Sequence, residues 1–263
     1  MSLAGVLGSL GMVFGSAPRS QPRPSELHPA FFDALPSMTG KTVVVTGASR
    51  GLGFVTALSV ARKGASVFLV GRSSDRADAA LGEIATASTG PAPQLVECDL
   101  LDFGSVRKAA AALRACAGEI DVLCCNAGVM MQPDEASKDG YDVTIATNVL
   151  SHFLLARELL PSLEQAAERS GEARIVSMSS GSGFGPPAFD PDIFEQRGGR
   201  LGGGPRGRYE RYHQVPPTQP ATSLPTLTLH SPCTHPAPTL RPTLRPTLRP
   251  TLHLLSPGAR SPS

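Results

Sequence analysis

The sequence contains no tryptophan, and it has no uninterrupted run of about 18 or more apolar residues, the length an ordinary membrane-spanning helix needs. From Arg211 to the end there is no acidic residue, after Tyr212 no aromatic one, and after Lys138 no lysine. Five Arg spread thinly over that last stretch, without aromatics between them, make a poor nucleic-acid surface. The net charge of +2 argues equally little for nucleic acid or for a membrane surface. The five cysteines, Cys98, Cys116, Cys124, Cys125 and Cys233, show neither metal-ligand spacing nor a paired framework, so no metal site is expected. They read as reduced thiols filling small core positions, with adjacent Cys124 and Cys125 on opposite faces of a strand.

What is abundant is proline, 25 residues of it, and 12 of these fall within 215–263. That clustering divides the 263 residues into three regions: a leader (1–40), a periodic region (41–214) and a Pro-rich tail (215–263). Pro-Thr-Leu-Arg occurs three times in tandem from Pro238 to Arg249. Proline at every fourth position excludes a helix and removes ladder donors from a strand, so the tail is expected to be extended and disordered. In the leader, the apolar run at 3–14 precedes Arg19 and Arg23, with the first acid only at Glu26. An organelle-targeting segment, a weak anchor and a disordered extension all fit it. The default location is cytoplasmic.

In the middle region short β-branched runs alternate with helical patterns, which is how βαβ units and a parallel sheet read. Strands are expected at Thr42–Thr46, Ser66–Val70, Gln94–Cys98, Ile120–Cys124 and Arg174–Met178. Helices are expected near Leu52–Lys63, Arg76–Ala87, Gly104–Ala117 and Gly140–Leu163. Right-handed crossovers then give an α/β, doubly wound parallel sheet of Rossmann type in the order 3-2-1-4-5.

The sharpest chemical signal is Thr46-Gly47-Ala48-Ser49-Arg50-Gly51-Leu52-Gly53, which follows an apolar strand and opens a helix. Glycines let a backbone turn tightly and approach a pyrophosphate, and the helix N-terminus offers unpaired N–H groups and partial positive charge. Gly47, Ser49, Arg50, Gly51, Leu52 and Gly53 are therefore candidate dinucleotide contacts.

From this point the chain resembles the short-chain dehydrogenase/reductase family. Asp99-Leu100 follows the third strand, Asn126-Ala127-Gly128 the fourth, Asn148 lies on the next helix, and Ser179-Ser180 end the fifth strand. The stretch NAGVM…DGYDVTIATNVLSHFLL is most similar to the retinol-dehydrogenase-like branch. The resemblance covers about residues 40–214 and implies a role for each position. Asp99 and Leu100 would hold the adenine, and Asn126, Ala127 and Gly128 would line the cofactor site. Asn148 would help form a proton-relay water site, and Ser180 would bind the substrate oxygen. It implies an oxidoreductase acting on the alcohol or carbonyl group of a small hydrophobic alcohol, aldehyde or ketone. The second strand ends in Gly71-Arg72 with no acid for a ribose 2′-hydroxyl, and Arg50 lies inside the Gly-rich turn. Two guanidinium groups there favour a phosphate, hence NADP over NAD.

The resemblance fails at its active-site helix. Arg211-Tyr212-His213-Gln214 matches the start of the family's Tyr-x-x-Ser-Lys, which makes Tyr212 the candidate acid, but Val215 and Pro216 stand where Ser and Lys belong. Four residues after Tyr209 is His213, so Tyr209 does not replace it. The lysine normally lowers the phenol pKa and binds the nicotinamide ribose. The family's last two strands and substrate-binding segment have no counterpart here either. A truncated or mis-spliced C-terminus, an incomplete sheet with the fifth strand as an open edge, and impaired activity are the expectations. The alternative is a non-catalytic nucleotide-binding or interaction protein with a Pro-rich tail. His152 is expected to be packed or cofactor-flanking, and Met130-Met131 to line a pocket or fill space.

Overall fold

The computed structural model describes residues 29–179, 191–197, 200, 202 and 226–230. Its elements are helix α1 (Pro29–Ala34), β1 (Thr42–Thr46), α2 (Gly51–Arg62), β2 (Ser66–Gly71), α3 (Asp75–Ala87), β3 (Gln94–Glu97), α4 (Phe103–Ala117) and β4 (Val122–Cys125). They continue with one helical turn α5 (Val143–Ile145), a π-turn (Ala146–Leu150), α6 (Ser151–Ser170), β5 (Glu172–Ser177), a 3-10 turn (Pro191–Phe194) and β6 (Thr226–His230). The sheet runs β3-β2-β1-β4-β5-β6. The first five strands pair in parallel in the expected 3-2-1-4-5 order.

Strand alternation splits the core into two layers. Val43 and Val45 face one side with Val67 and Leu69, where Ala57, Leu58 and Ala61 of α2 and Ile84 of α3 cover them. Val44 faces the other side with Phe68, Val70, Leu123 and Cys125, under Val106 and Leu113 of α4 and Leu155, Leu159 and Leu163 of α6. Each fully buried aliphatic side chain contributes about 1.5–3 kcal/mol, so this two-sided burial is what fixes the strands. Cys124 and Cys125 fall on opposite layers, as adjacent strand residues must. Cys98 is likewise buried, but Cys116 is exposed on α4, a correction to its reading as a core thiol; Cys233 lies outside the described residues. Residue 116 comes three positions after the inward Leu113 and still lands at the rim, because α4 is about to end at Gly118.

At the amino ends of the strands, buried Asp121 holds several segments together. It accepts hydrogen bonds from the Thr42 N–H (2.9 Å), Lys41 Nζ (2.9 Å) and Arg169 at the end of α6 (3.0 Å). Helix α6 runs on through Pro161 to Ser170, beyond the expected end at Leu163.

Two expectations change. The end of the leader is structured: α1 places the Phe32 ring 4.9 Å from the Arg62 guanidinium and 4.8 Å from Lys63 Nζ, and Met38 N–H donates to the Lys63 carbonyl. The tail also contributes a strand, because β6 pairs antiparallel with β5 from Glu172↔His230 to Val176↔Thr226. The fifth strand is therefore not an open edge over that stretch. The physical reason is local: Thr226–His230 lies between Pro225 and Pro232 and contains no proline, so every residue keeps its N–H for the ladder.

Candidate dinucleotide site

The carboxyl ends of β1 and β4 meet through the side chain of Thr46. Its hydroxyl accepts the N–H groups of Asn126 and Ala127, both at 2.9 Å. Asn126 Nδ2 donates back to the Thr46 carbonyl at 2.9 Å. The Asn126-Ala127-Gly128 turn is thereby pinned beside the Gly-rich turn.

That closeness explains two of the glycines. A Cβ on Gly47 would stand 2.8 Å from the Ala127 Cα, and Gly47 also has φ +67°. A Cβ on Gly53 would run into the Asn126 amide and stand 2.6 Å from the Gly47 carbonyl. The Gly47 N–H donates to the Val70 carbonyl of β2 (2.9 Å), so the turn is tied on both sides.

Gly51 and Leu52 open α2 on the exposed side, and Ser49 is half-buried. The first turn of α2 has no acidic residue, and its cap, Arg50, makes no side-chain capping bond. Its N–H groups thus keep their capacity for an outside acceptor. Arg50 and Arg72 are both exposed, and among the described residues neither is in an ion pair.

Past β3, the Asp99 carboxylate accepts the Leu101 N–H (3.0 Å), which shapes the turn, while the Leu100 carbonyl accepts from Ser151 Oγ of α6. Asn148 sits within the π-turn; Val129 N–H donates to its Oδ1 at 2.8 Å and its Nδ2 donates to the Val129 carbonyl at 2.9 Å. Asn148 is therefore bonded to the residue that follows the Asn126-Ala127-Gly128 turn. A π-turn displaces the helix by one residue and recurs at functional sites. Ser180 and Tyr212 lie outside the described residues.

Sequence reasoning missed Thr46 as the hub and the part played by His152. Nε2 of His152 lies 2.9 Å from Thr46 Oγ1, and its Nδ1 lies 3.2 Å from the Asn148 carbonyl. Burial lowers its pKa below the ordinary value, opposed by the bond to the Asn148 carbonyl. The available signal was a polar residue ending an all-apolar strand and a histidine four residues after Asn148. Met131, read as pocket lining or filler, is half-exposed with φ 54°, a conformation uncommon outside glycine.

Residues 41–190 match the short chain dehydrogenase family model. The chain belongs to the short-chain dehydrogenase family. It is 43% identical over 151 residues to an uncharacterized oxidoreductase of Schizosaccharomyces pombe, covering 57% of this chain and 44% of that protein. It is 38% identical over 143 residues to human retinol dehydrogenase 11, covering 54% of this chain and 44% of that one. The chain thus spans about half the length of the curated relatives it matches. A crystal structure of an uncharacterized protein from Mycobacterium paratuberculosis superposes with a TM-score of 0.54 at 31% identity, covering 70% of this chain and 60% of that one. The family is one of oxidoreductases that bind NAD(P), and retinol dehydrogenases are among this chain's relatives. Among its described residues no helix is long and apolar enough to cross a membrane.

Proposed function

We propose that this chain binds NADP through its Gly-rich turn and descends from an oxidoreductase acting on small hydrophobic alcohols, aldehydes or ketones, with catalysis impaired in this form. The observation that carries the reading is the uncapped start of α2 beside a turn held tight enough to exclude a Cβ at Gly47 and Gly53. Backbone N–H groups near Ser49, Gly51, Leu52 and Gly53 would receive the pyrophosphate. Arg50 and Arg72 would receive the 2′-phosphate, as pairs of guanidinium groups do. Asp99 and Leu100 would flank the adenine, and Asn126, Ala127 and Gly128 would form the floor. When bound, the nicotinamide supplies or takes up a hydride.

Around the reacting carbonyl, Ser180 would hold the oxygen and Tyr212 would carry the proton, with Asn148 at the relay. At the position four residues after the tyrosine, where the family has a cation, this sequence has Pro216. General acid–base assistance is worth ~10²–10⁴-fold, and loss of orientation removes more. Steady-state NADPH oxidation with a panel of hydrophobic aldehydes and ketones should be near background. A chimera in which a relative's Ser-Lys and C-terminal segment follow Gln214 should turn over. Robust activity of the unmodified chain contradicts impairment, and an inactive chimera that still binds NADPH contradicts the assigned lineage chemistry.

A further inference from the structure

We propose that His152 is a positioning residue for the dinucleotide site: a neutral imidazole, protonated on Nδ1, that couples the Thr46 hub to the Asn148 carbonyl of the π-turn. The proposal rests on the NAD(P) reading of the site for its consequence, and on hydrogen-bond bookkeeping for its chemistry.

A hydroxyl offers one proton and two lone pairs. At Thr46 the Asn126 and Ala127 N–H groups, each 2.9 Å away, occupy both lone pairs. The hydroxyl proton must therefore point outward, and two acceptors are within reach: His152 Nε2 at 2.9 Å and the Cys124 carbonyl at 3.4 Å. The nearer one takes it, so Nε2 is an acceptor. On the other side of the ring Nδ1 stands 3.2 Å from the Asn148 carbonyl, which can only accept, so Nδ1 carries the hydrogen. The partners thus dictate one tautomer.

His152 is 7% exposed, and its ring is bonded to Thr46 from β1 and to Asn148 from the π-turn, with the Cys124 carbonyl of β4 in turn 3.4 Å from Thr46 Oγ1. No carboxylate or cation among the described residues bears on it, and burial itself disfavours its charged form. A second proton, on Nε2, would bring a third donor to an oxygen with no lone pair left. Thr46 would have to release the Asn126 or the Ala127 N–H. The turn against which Gly47 and Gly53 pack would then loosen, and with it the floor of the cofactor site. A histidine that merely filled space would be indifferent to its tautomer and would leave cofactor affinity unchanged.

Two measurements on the full chain test this. Long-range ¹⁵N–¹H spectra near pH 7 should contain one neutral Nδ1-protonated imidazole that disappears in His152→Gln, which keeps an acceptor for Thr46 but cannot titrate. An Nε2-protonated signal there, or a titration at the ordinary value near 6.5, overturns the proposal. NADPH titrations by fluorescence between about pH 8 and 5.5 give the second readout, with the cofactor's own phosphate ionising near 6 and so contributing to every curve. The expected result is an acid loss of affinity in the unmodified chain beyond that of His152→Gln, and affinities within about threefold of each other at the alkaline end, about 0.7 kcal/mol apart at most. Superimposable pH curves overturn the positioning role. Absence of NADPH binding at every pH refutes the cofactor reading instead, and the tautomer then decides the proposal alone.

Discussion

The side chain of Asn148 and the backbone of Val129 grip each other in both directions, the amide oxygen accepting at 2.8 Å and the amide nitrogen donating at 2.9 Å. This pair joins the turn after β4 to the π-turn ahead of α6, and each bond can be removed separately. Asn148→Leu should destabilise the chain by ~1–2 kcal/mol, the usual net worth of two hydrogen bonds that water partly replaces. Asn148→Asp, which keeps the acceptor, should cost less. Urea unfolding of both variants measures this, and equal losses would show that the acceptor half contributes nothing.

Gly53→Ala places a methyl against the Asn126 amide, in the turn that Thr46 holds, and against the Gly47 carbonyl of the Gly-rich turn. Forcing a methyl into such a contact typically costs ~1–3 kcal/mol. NADPH affinity should fall together with Tm. Gly82→Ala, on the open side of α3 with nothing within 4 Å, is the control and should not destabilise.

Burial pushes the Cys98 thiol up to about 12, and Cys125 likewise to about 12, with Cys124 at about 11. Neutral, enclosed thiols are poor nucleophiles. Iodoacetamide at neutral pH should label Cys116 well before these three, as read by peptide mass spectrometry. Their labelling should begin only with unfolding. Early modification of Cys124 or Cys125 would contradict the packing of β4.

His152 and Asp102 lose stability in different acid windows. The folded-state pKa of His152 lies below its unfolded value near 6.5, so the unfolded chain binds the proton more readily. Its contribution is complete above that value and declines as pH falls below it. Asp102 is lowered by its hydrogen bond to Lys138 and by capping α4, so its contribution is complete above about 3.8 and lost below. Urea midpoints between about pH 7 and 5.5 should slope downward toward acid in the unmodified chain. The slope should flatten in His152→Gln; an unchanged slope would contradict a buried, neutral His152.

Much of this was legible in the residues. Val43-Val44-Val45 and Val67-Phe68-Leu69-Val70 can only be strands covered on both faces, and they are. The Gly-rich turn announced itself by three glycines between a strand and a helix. The π-turn did not, because Ala146-Thr147-Asn148-Val149-Leu150 is an ordinary helical stretch whose extra residue per turn is set by tertiary bonds such as Asn148 to Val129. Strand β6 was hidden by averaging: the proline content of the whole tail masks five residues that have none. Thr46 read as one more β-branched strand residue, since nothing local tells which N–H groups its hydroxyl will meet.

The most direct test of the account is the affinity of the unmodified chain for NADPH and NADH, measured side by side by cofactor fluorescence or calorimetry. Arg50 and Arg72, exposed and unpaired among the described residues with no acid at the end of β2, should give tighter NADPH binding. Arg72→Asp should remove roughly the 1.5–3 kcal/mol of a charge-assisted hydrogen bond from that preference. Equal or tighter binding of NADH would contradict the phosphate-selecting role of the two arginines, and binding of neither cofactor would contradict the dinucleotide site itself.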